Sequence, residues 1–89
     1  MLMSKENLPK WYDGPLLEGR EVTNPYSGAT RTLNDVEFTI YAMILNTERD
    51  VERNGGVFNP ATAPLQDKMA KGIAWFRNNS VDAYFDLID

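Results

Sequence analysis

The residue types that most often perform catalysis or hold metal ions are absent from this chain of 89 residues. It has no cysteine and no histidine, which excludes disulfides, thiolate zinc sites, cysteine nucleophiles and histidine general bases. Catalysis would have to rest on carboxylates, lysine, tyrosine or serine. Glu48 and Glu52 could share a helix face, but Arg49 and Arg53 lie beside them and neutralise their charge. We therefore expect neither an enzyme nor a bound cofactor.

One segment has the spacing of a calcium-binding loop. Asp50, Glu52 and Asn54 would stand at loop positions 1, 3 and 5, and Gly55 at position 6. Position 12, where a bidentate carboxylate is needed, is Ala61. The sequence therefore predicts a charged helix end with a glycine cap, and no metal site.

Aromatic and basic residues are the stronger functional signal. Ten aromatic residues are many for one small core to hide, and aromatic side chains are enriched at protein interfaces. Lys68, Lys71 and Trp75 are spaced to share a helix face, which could bind an acidic protein surface or single-stranded nucleic acid, or could simply be solvated. The residues that we predict to bind a partner are Trp11, Tyr12, Phe38, Tyr41, Leu45, Lys68, Lys71 and Trp75.

Charge and hydropathy restrict the compartment and the classes of partner that we expect. A formal net charge of -4 opposes attraction to phosphate backbones and to anionic lipid. The longest apolar run, Ile40–Leu45, is far shorter than the roughly 20 residues that a membrane-spanning helix needs. The first residues contain no apolar stretch of the kind found in secretory signals. We therefore expect a cytoplasmic protein with no membrane contact, for which nucleic acid is an unlikely partner.

The N-terminal third is predicted to contain an arm and a hairpin. Residues 1–19 are interrupted by prolines and glycines and show no sustained period, which indicates an arm whose apolar residues pack on the domain or on a neighbour. Residues 20–33 read as a β-hairpin around Asn24-Pro25-Tyr26-Ser27-Gly28. Proline presets the turn there, and glycine supplies the positive φ. Residues 20–89 are expected to form a single helical domain.

Three helices are predicted to follow, at residues 35–53, 63–78 and 81–88. Asn34 and Glu37 have the spacing of a capping box before the first helix, and Ser80 is placed to cap the last. The first helix carries two apolar stripes on nearly opposite sides, one of Val36, Ile40, Met43, Ile44, Thr47 and Val51, the other of Phe38, Tyr41 and Leu45. Such a helix is covered on both sides. The predicted fold class is mainly α (α+β), with three helices, an N-terminal arm and a β-hairpin.

A winged-helix-like nucleic-acid-binding protein is the alternative interpretation. Winged-helix domains often open with a hairpin and a capped helix, and the entry from Thr32 to Phe38 resembles that pattern. The candidate recognition helix, Leu65–Asn78, offers several polar and basic side chains. The acidic terminal helix, with Asp82 and Asp86, opposes docking on DNA.

Two blocks also resemble a family of small proteins encoded by marine bacteriophages, especially those of cyanobacteria, to which no activity is attached. The first block is Asn24-Pro25-Tyr26-Ser27-Gly28 with Leu33-Asn34-x-x-Glu37-x-x-Ile40-Tyr41; the second is Met69-x-Lys71-Gly72-Ile73-x-Trp75-Phe76-Arg77 with Ala83-Tyr84 and Leu87-Ile88-Asp89. They cover about two thirds of the chain; Glu48 to Pro64 does not match. The resemblance implies a phage origin and an intracellular setting, and it assigns no functional residue.

The doubly apolar helix, the aromatic excess and the lack of catalytic residues favour a small protein-binding module. We expect it to act on a host protein or to assemble with itself as an oligomer. The winged-helix-like nucleic-acid binder stays open as the second hypothesis.

Overall fold

The computed structural model describes residues 7–88, in which a β-hairpin precedes three helices. The elements are β1 (Arg20–Thr23), β2 (Thr30–Leu33), α1 (Asp35–Arg53), a 3₁₀ turn (Pro60–Thr62), α2 (Ala63–Asn79) and α3 (Val81–Ala83), which continues into a π-helical turn (Tyr84–Ile88). We refer to α3 and this turn together as the C-terminal helix. The predicted class, mainly α with one hairpin and three helices, is confirmed. Residues 1–6 of the predicted arm, and Asp89, lie outside the described residues.

The hairpin forms for the local reasons that its turn sequence suggests. The strands pair antiparallel, with Arg20 opposite Leu33 and Thr23 opposite Thr30. The side-chain oxygen of Asn24 accepts a hydrogen bond from the Tyr26 N–H at 2.8 Å. Gly28 has a φ of 78°, a conformation that other residues rarely adopt. The Asn24 side chain and Gly28 thus close the turn.

Helix α1 begins and ends at the predicted residues. The Asn34 side chain accepts from the Glu37 backbone N–H, and the Glu37 carboxylate accepts in return from the Asn34 N–H, which makes a complete capping box. At the other end Gly56, with a φ of 82°, donates its N–H to the Val51 carbonyl at 2.8 Å. Both ends are therefore satisfied by residues next to them in the sequence.

The core lies mainly between α1 and α2. Ile40, Ile44 and Phe76 are buried there. Gly72 allows the two helices to approach closely, because a Cβ at this position would stand 2.7 Å from Met43 Cε and 2.8 Å from Ile44 Cγ1. Gly72 and Phe76 of α2 thus pack on the first stripe of α1.

The described part of the arm, residues 7–19, packs on its own chain. Leu17 donates its backbone N–H to Thr39 Oγ1 at 2.8 Å, and Gly19 donates to Asp35 Oδ1 at 2.7 Å. Trp11 and Tyr12 pack, half-buried, against the core. The sequence leaves open whether the arm packs on its own domain or on a neighbour, and residues 7–19 pack on their own domain.

Two features of the helices differ from the sequence-based expectation. Ser80 makes no cap hydrogen bond to the C-terminal helix; its hydroxyl instead donates to Glu37 Oε2. The prediction that Ser80 caps this helix is therefore wrong, because a carboxylate 43 residues away competes for its hydroxyl. Thr39, which belongs to neither predicted stripe, is fully buried because the arm covers it.

Candidate functional site

A groove opens between the hairpin turn, α1 and the C-terminal helix. Its volume is about 470 Å³. We call it the α1 groove; its lining residues are Asn24, Pro25, Tyr26, Tyr41, Ile44, Leu45, Glu48, Leu87 and Ile88. The volume falls within the range of about 300–1,000 Å³ that is typical of ligand-binding clefts. Three other cavities among residues 7–88 have volumes of about 340, 320 and 290 Å³.

The two walls of the groove are tied to each other by polar contacts. Asn24 Nδ2 donates to the Asp86 carbonyl at 2.9 Å, which joins the hairpin turn to the C-terminal helix. Arg31 Nε and Nη2 both donate to Asp86 Oδ2, at 2.9 Å and 2.7 Å. A charge-assisted pair with two donors fixes orientation as well as distance. The groove is therefore a preformed feature of the fold.

The floor of the groove is apolar and its rim is mixed. Tyr41 and Ile44 are buried, whereas Leu45 is 37% exposed and Tyr26, on the hairpin turn, is 97% exposed. Burial raises the pKa of the Tyr41 hydroxyl above its ordinary value of 10.0, so this side chain is neutral at physiological pH. Glu48 is the charged residue of the lining. Such a surface suits an apolar side chain far better than an anionic ligand.

The residues predicted to bind a partner do not form one surface. Tyr41 and Leu45 meet in the α1 groove. Tyr12 and Lys68 line a second cavity of about 340 Å³, between the arm and α1. Trp75 lines a third, of about 320 Å³, beside the start of α1. The structure thus brings together two pairs of the predicted residues, in different places.

The other three predicted residues are occupied by contacts within the chain. The guanidinium of Arg20 lies 4.7 Å from the centre of the Phe38 ring. Lys71 forms an ion pair with Asp67 at 3.2 Å. Trp11 packs against the core. These contacts stabilise the fold and reduce what the three side chains can offer to a partner.

The sequence analysis missed an apolar protrusion on the α1–α2 loop. Val57 is 60% exposed and Phe58 is 97% exposed; we call these two residues the loop tip. One signal could have found it: residues 54–66 form the longest uncharged run in a chain of which 25% is charged. A large aromatic residue in an uncharged loop is a candidate contact residue.

Side chains hold the backbone of this loop in place. Asn59 Nδ2 donates to the Asn54 carbonyl at 2.8 Å, and Thr62 Oγ1 donates to the Gly56 carbonyl at 3.0 Å. Gln66 Nε2, from α2, donates to the carbonyl of Val57 itself at 2.9 Å. The loop tip is thus presented to solvent on an ordered backbone.

Several carboxylates that could serve catalysis have structural partners. Glu37 completes the capping box and accepts from Ser80. Asp35 accepts from Gly19, and Asp86 pairs with Arg31. Across residues 7–88 no group of three or more acidic side chains is arranged to hold a metal ion.

Within the described range, no helix is both long enough and apolar enough to cross a membrane. Comparison of the chain with models of protein families, with curated proteins and with solved structures gives no match in any of the three.

Proposed function

We propose that this chain is a small, non-enzymatic protein-binding module that acts through the α1 groove. The partner is a protein, either a host protein or a second copy of the chain. The sequence resemblance to marine phage proteins supports a phage-encoded module in the cytoplasm of an infected bacterium.

The observation that carries the proposal is the combination of a preformed groove with exposed apolar surface at its edge. Tyr26 and Leu45 expose aromatic and aliphatic area at the edge of a cavity whose floor is already apolar. Burial of such area stabilises a complex by about 25 cal/mol per Å² before the costs of association are counted. The Asn24 and Arg31 contacts with Asp86 hold the walls, so little ordering is needed on binding.

The positive charges support a protein partner over nucleic acid. Arg31 pairs with Asp86, Arg53 with Asp50 and Lys71 with Asp67. A binder of phosphate backbones needs clustered basic residues that are free to meet phosphates. The pairing of these three cations and the net charge of -4 therefore both weigh against the winged-helix alternative.

The proposal is tested by placing a charge in the groove. Leu45→Glu introduces a second carboxylate beside Glu48, and the matched control Ala70→Glu makes the same charge change at an exposed site on α2 that does not line the groove. We expect wild type and A70E to bind the same partner. That partner is either one protein captured from a marine cyanobacterial lysate or a second copy of the purified chain. L45E should bind that protein, once purified, at least about tenfold more weakly by calorimetry.

Two results would contradict the proposal. One is a partner that binds L45E as tightly as wild type. The other is a chain that binds no protein but shifts mixed-sequence DNA or RNA at low salt, where electrostatic attraction is strongest.

A further inference from the structure

We infer that the occupant of the α1 groove is the loop tip, Val57 and Phe58, of a second copy of this chain. The inference rests on the proposed function and names the partner of the same groove. It assigns a role to the loop tip, whose Phe58 is as exposed as Tyr26 and more exposed than Phe85 or Val81 of the C-terminal helix.

The loop tip combines an exposed aromatic side chain with a fixed backbone, as a residue that inserts into a pocket requires. Phe58 is 97% exposed, although a free aromatic side chain gains nothing from water. The hydrogen bonds from Asn59, Thr62 and Gln66 fix the loop backbone without any packing of Phe58 itself. A side chain carried on an ordered loop loses little conformational entropy when it enters a pocket.

The groove has the shape and chemistry to receive it. A volume of about 470 Å³ is several times that of one phenyl ring, so Phe58 and Val57 can enter together. The ring would contact the floor at Tyr41 and Ile44, where aromatic and aliphatic groups meet it, with Tyr26 at the edge. Edge-to-face pairing with tyrosine adds to the apolar burial.

Charge explains why two copies would meet at this place. Each copy carries a net charge of -4, so copies repel over most of their surface. The loop tip lies within the uncharged run of residues 54–66, and the groove lining contains one carboxylate, Glu48. Contact between tip and groove brings no second negative charge from the loop to Glu48, which is itself exposed. This approach therefore avoids the repulsion that two acidic surfaces would meet.

The contact joins two different surfaces, because no loop-tip residue lines the groove. Each copy thus offers one tip and one groove, and the contact either repeats from copy to copy or is made twice in a two-fold pair. A tip of two residues buries less area than the roughly 800 Å² per partner of standard interfaces. We therefore expect weak association that depends on protein concentration.

Sedimentation velocity of the full chain, at concentrations up to about 1 mM, tests the inference. Wild type should show a sedimentation coefficient that rises with concentration. Phe58→Asp and Leu45→Glu should each stay monomeric at concentrations where wild type associates, and the control A70E should behave as wild type. Circular dichroism confirms that each variant is folded; Phe58 is too exposed for its replacement to disturb the core.

Mixing the two defective variants gives the decisive measurement. F58D keeps an intact groove and L45E keeps an intact tip, so the mixture should form a heterodimer although neither variant associates alone. Failure of the mixture to associate, or association of F58D equal to that of wild type, overturns the inference.

The outcome is separable from that of the proposed function. A chain that stays monomeric, yet binds a purified lysate protein through Leu45, overturns the second copy as occupant and supports the protein-binding module. A chain that neither self-associates nor binds a lysate protein overturns both the inference and the proposed function.

Discussion

At the scale of single residues, Thr39 shows how one buried hydroxyl attaches the arm to α1. Its Oγ1 accepts from the Leu17 N–H at 2.8 Å and donates to the Asp35 carbonyl at 2.7 Å. Thr39→Val keeps the shape of the side chain but leaves the Leu17 N–H without its acceptor. We expect a loss of about 1–3 kcal/mol in the free energy of unfolding, measured by urea denaturation.

Thr39→Ser separates the hydroxyl from the packing. It keeps the acceptor for Leu17 and loses one methyl group, so the amide of Leu17 should exchange its hydrogen as slowly as in wild type. In T39V the same amide should exchange markedly faster. Equal exchange in T39V and T39S would show that the Thr39 hydroxyl does not hold the arm.

At the scale of elements, Asp86 joins the C-terminal helix to the hairpin, the two elements that form walls of the α1 groove. It accepts from Arg31 through its carboxylate and from Asn24 through its carbonyl. Because the Arg31–Asp86 pair is partly exposed, Asp86→Asn should cost only about 0.2–1 kcal/mol of stability. We expect the coupling with Arg31→Gln in a double-mutant cycle to be of that size.

The same substitution has a local consequence that stability alone does not report. With the charge-assisted pair removed, amide resonances of Asn24, of residues 26–28 and of residues 84–88 should shift in NMR spectra of D86N, while those of α2, such as Ala70, should not. Unchanged spectra around the groove would mean that the Asn24 contact suffices to hold its walls.

The elements that could be predicted from the sequence are those whose ends are determined locally. The Asn34–Glu37 capping box and Gly56 place both ends of α1, and Asn24 with Gly28 places the hairpin turn. Partners that are remote in sequence could not be predicted. The Ser80 hydroxyl donates to Glu37 and does not cap its own helix. Asn24 donates to the carbonyl of Asp86, 62 residues away in the sequence.

The α1 groove could be predicted only in part, for the same reason. The second stripe of α1 includes Tyr41 and Leu45, which the structure places together in the groove, with Leu45 exposed and not covered as expected. The walls come from the hairpin turn and from Leu87 and Ile88, whose positions depend on tertiary packing. The α1 stripe carried no information about the exposure of Tyr26, because that residue lies on another element.

At the scale of the whole molecule, two tyrosines make stability fall at high pH. Burial raises the pKa of Tyr41, and burial followed by the nearby Asp13 raises that of Tyr12, both above 10.0. Below that value the hydroxyls are neutral in both folded and unfolded chains. As the pH rises further the unfolded chain loses these protons first, so unfolding becomes more favourable.

We therefore expect the free energy of unfolding to decrease between about pH 9 and pH 12, and Tyr41→Phe to flatten the decrease. Tyr12→Phe should flatten it independently, because the two hydroxyls lie in different cavities. Denaturant titrations across this range measure the slopes. Equal slopes for wild type and Y41F would contradict the role assigned to burial of Tyr41.

The two tryptophans of the chain, one on the arm and one on α2, allow a test of whether the arm belongs to the cooperative unit. Trp11 and Trp75 both pack against the core cluster, and the arm is joined to α1 through Thr39 and Asp35. An arm held in this way unfolds with the helices and not before them.

Trp75→Phe leaves Trp11 to report the arm, and Trp11→Phe leaves Trp75 to report α2. Within each variant, fluorescence and circular dichroism should give coincident urea transitions. An earlier fluorescence transition in W75F, with coincident transitions in W11F, would mean that the arm opens independently and exposes Thr39 and the second cavity while the helices stay folded.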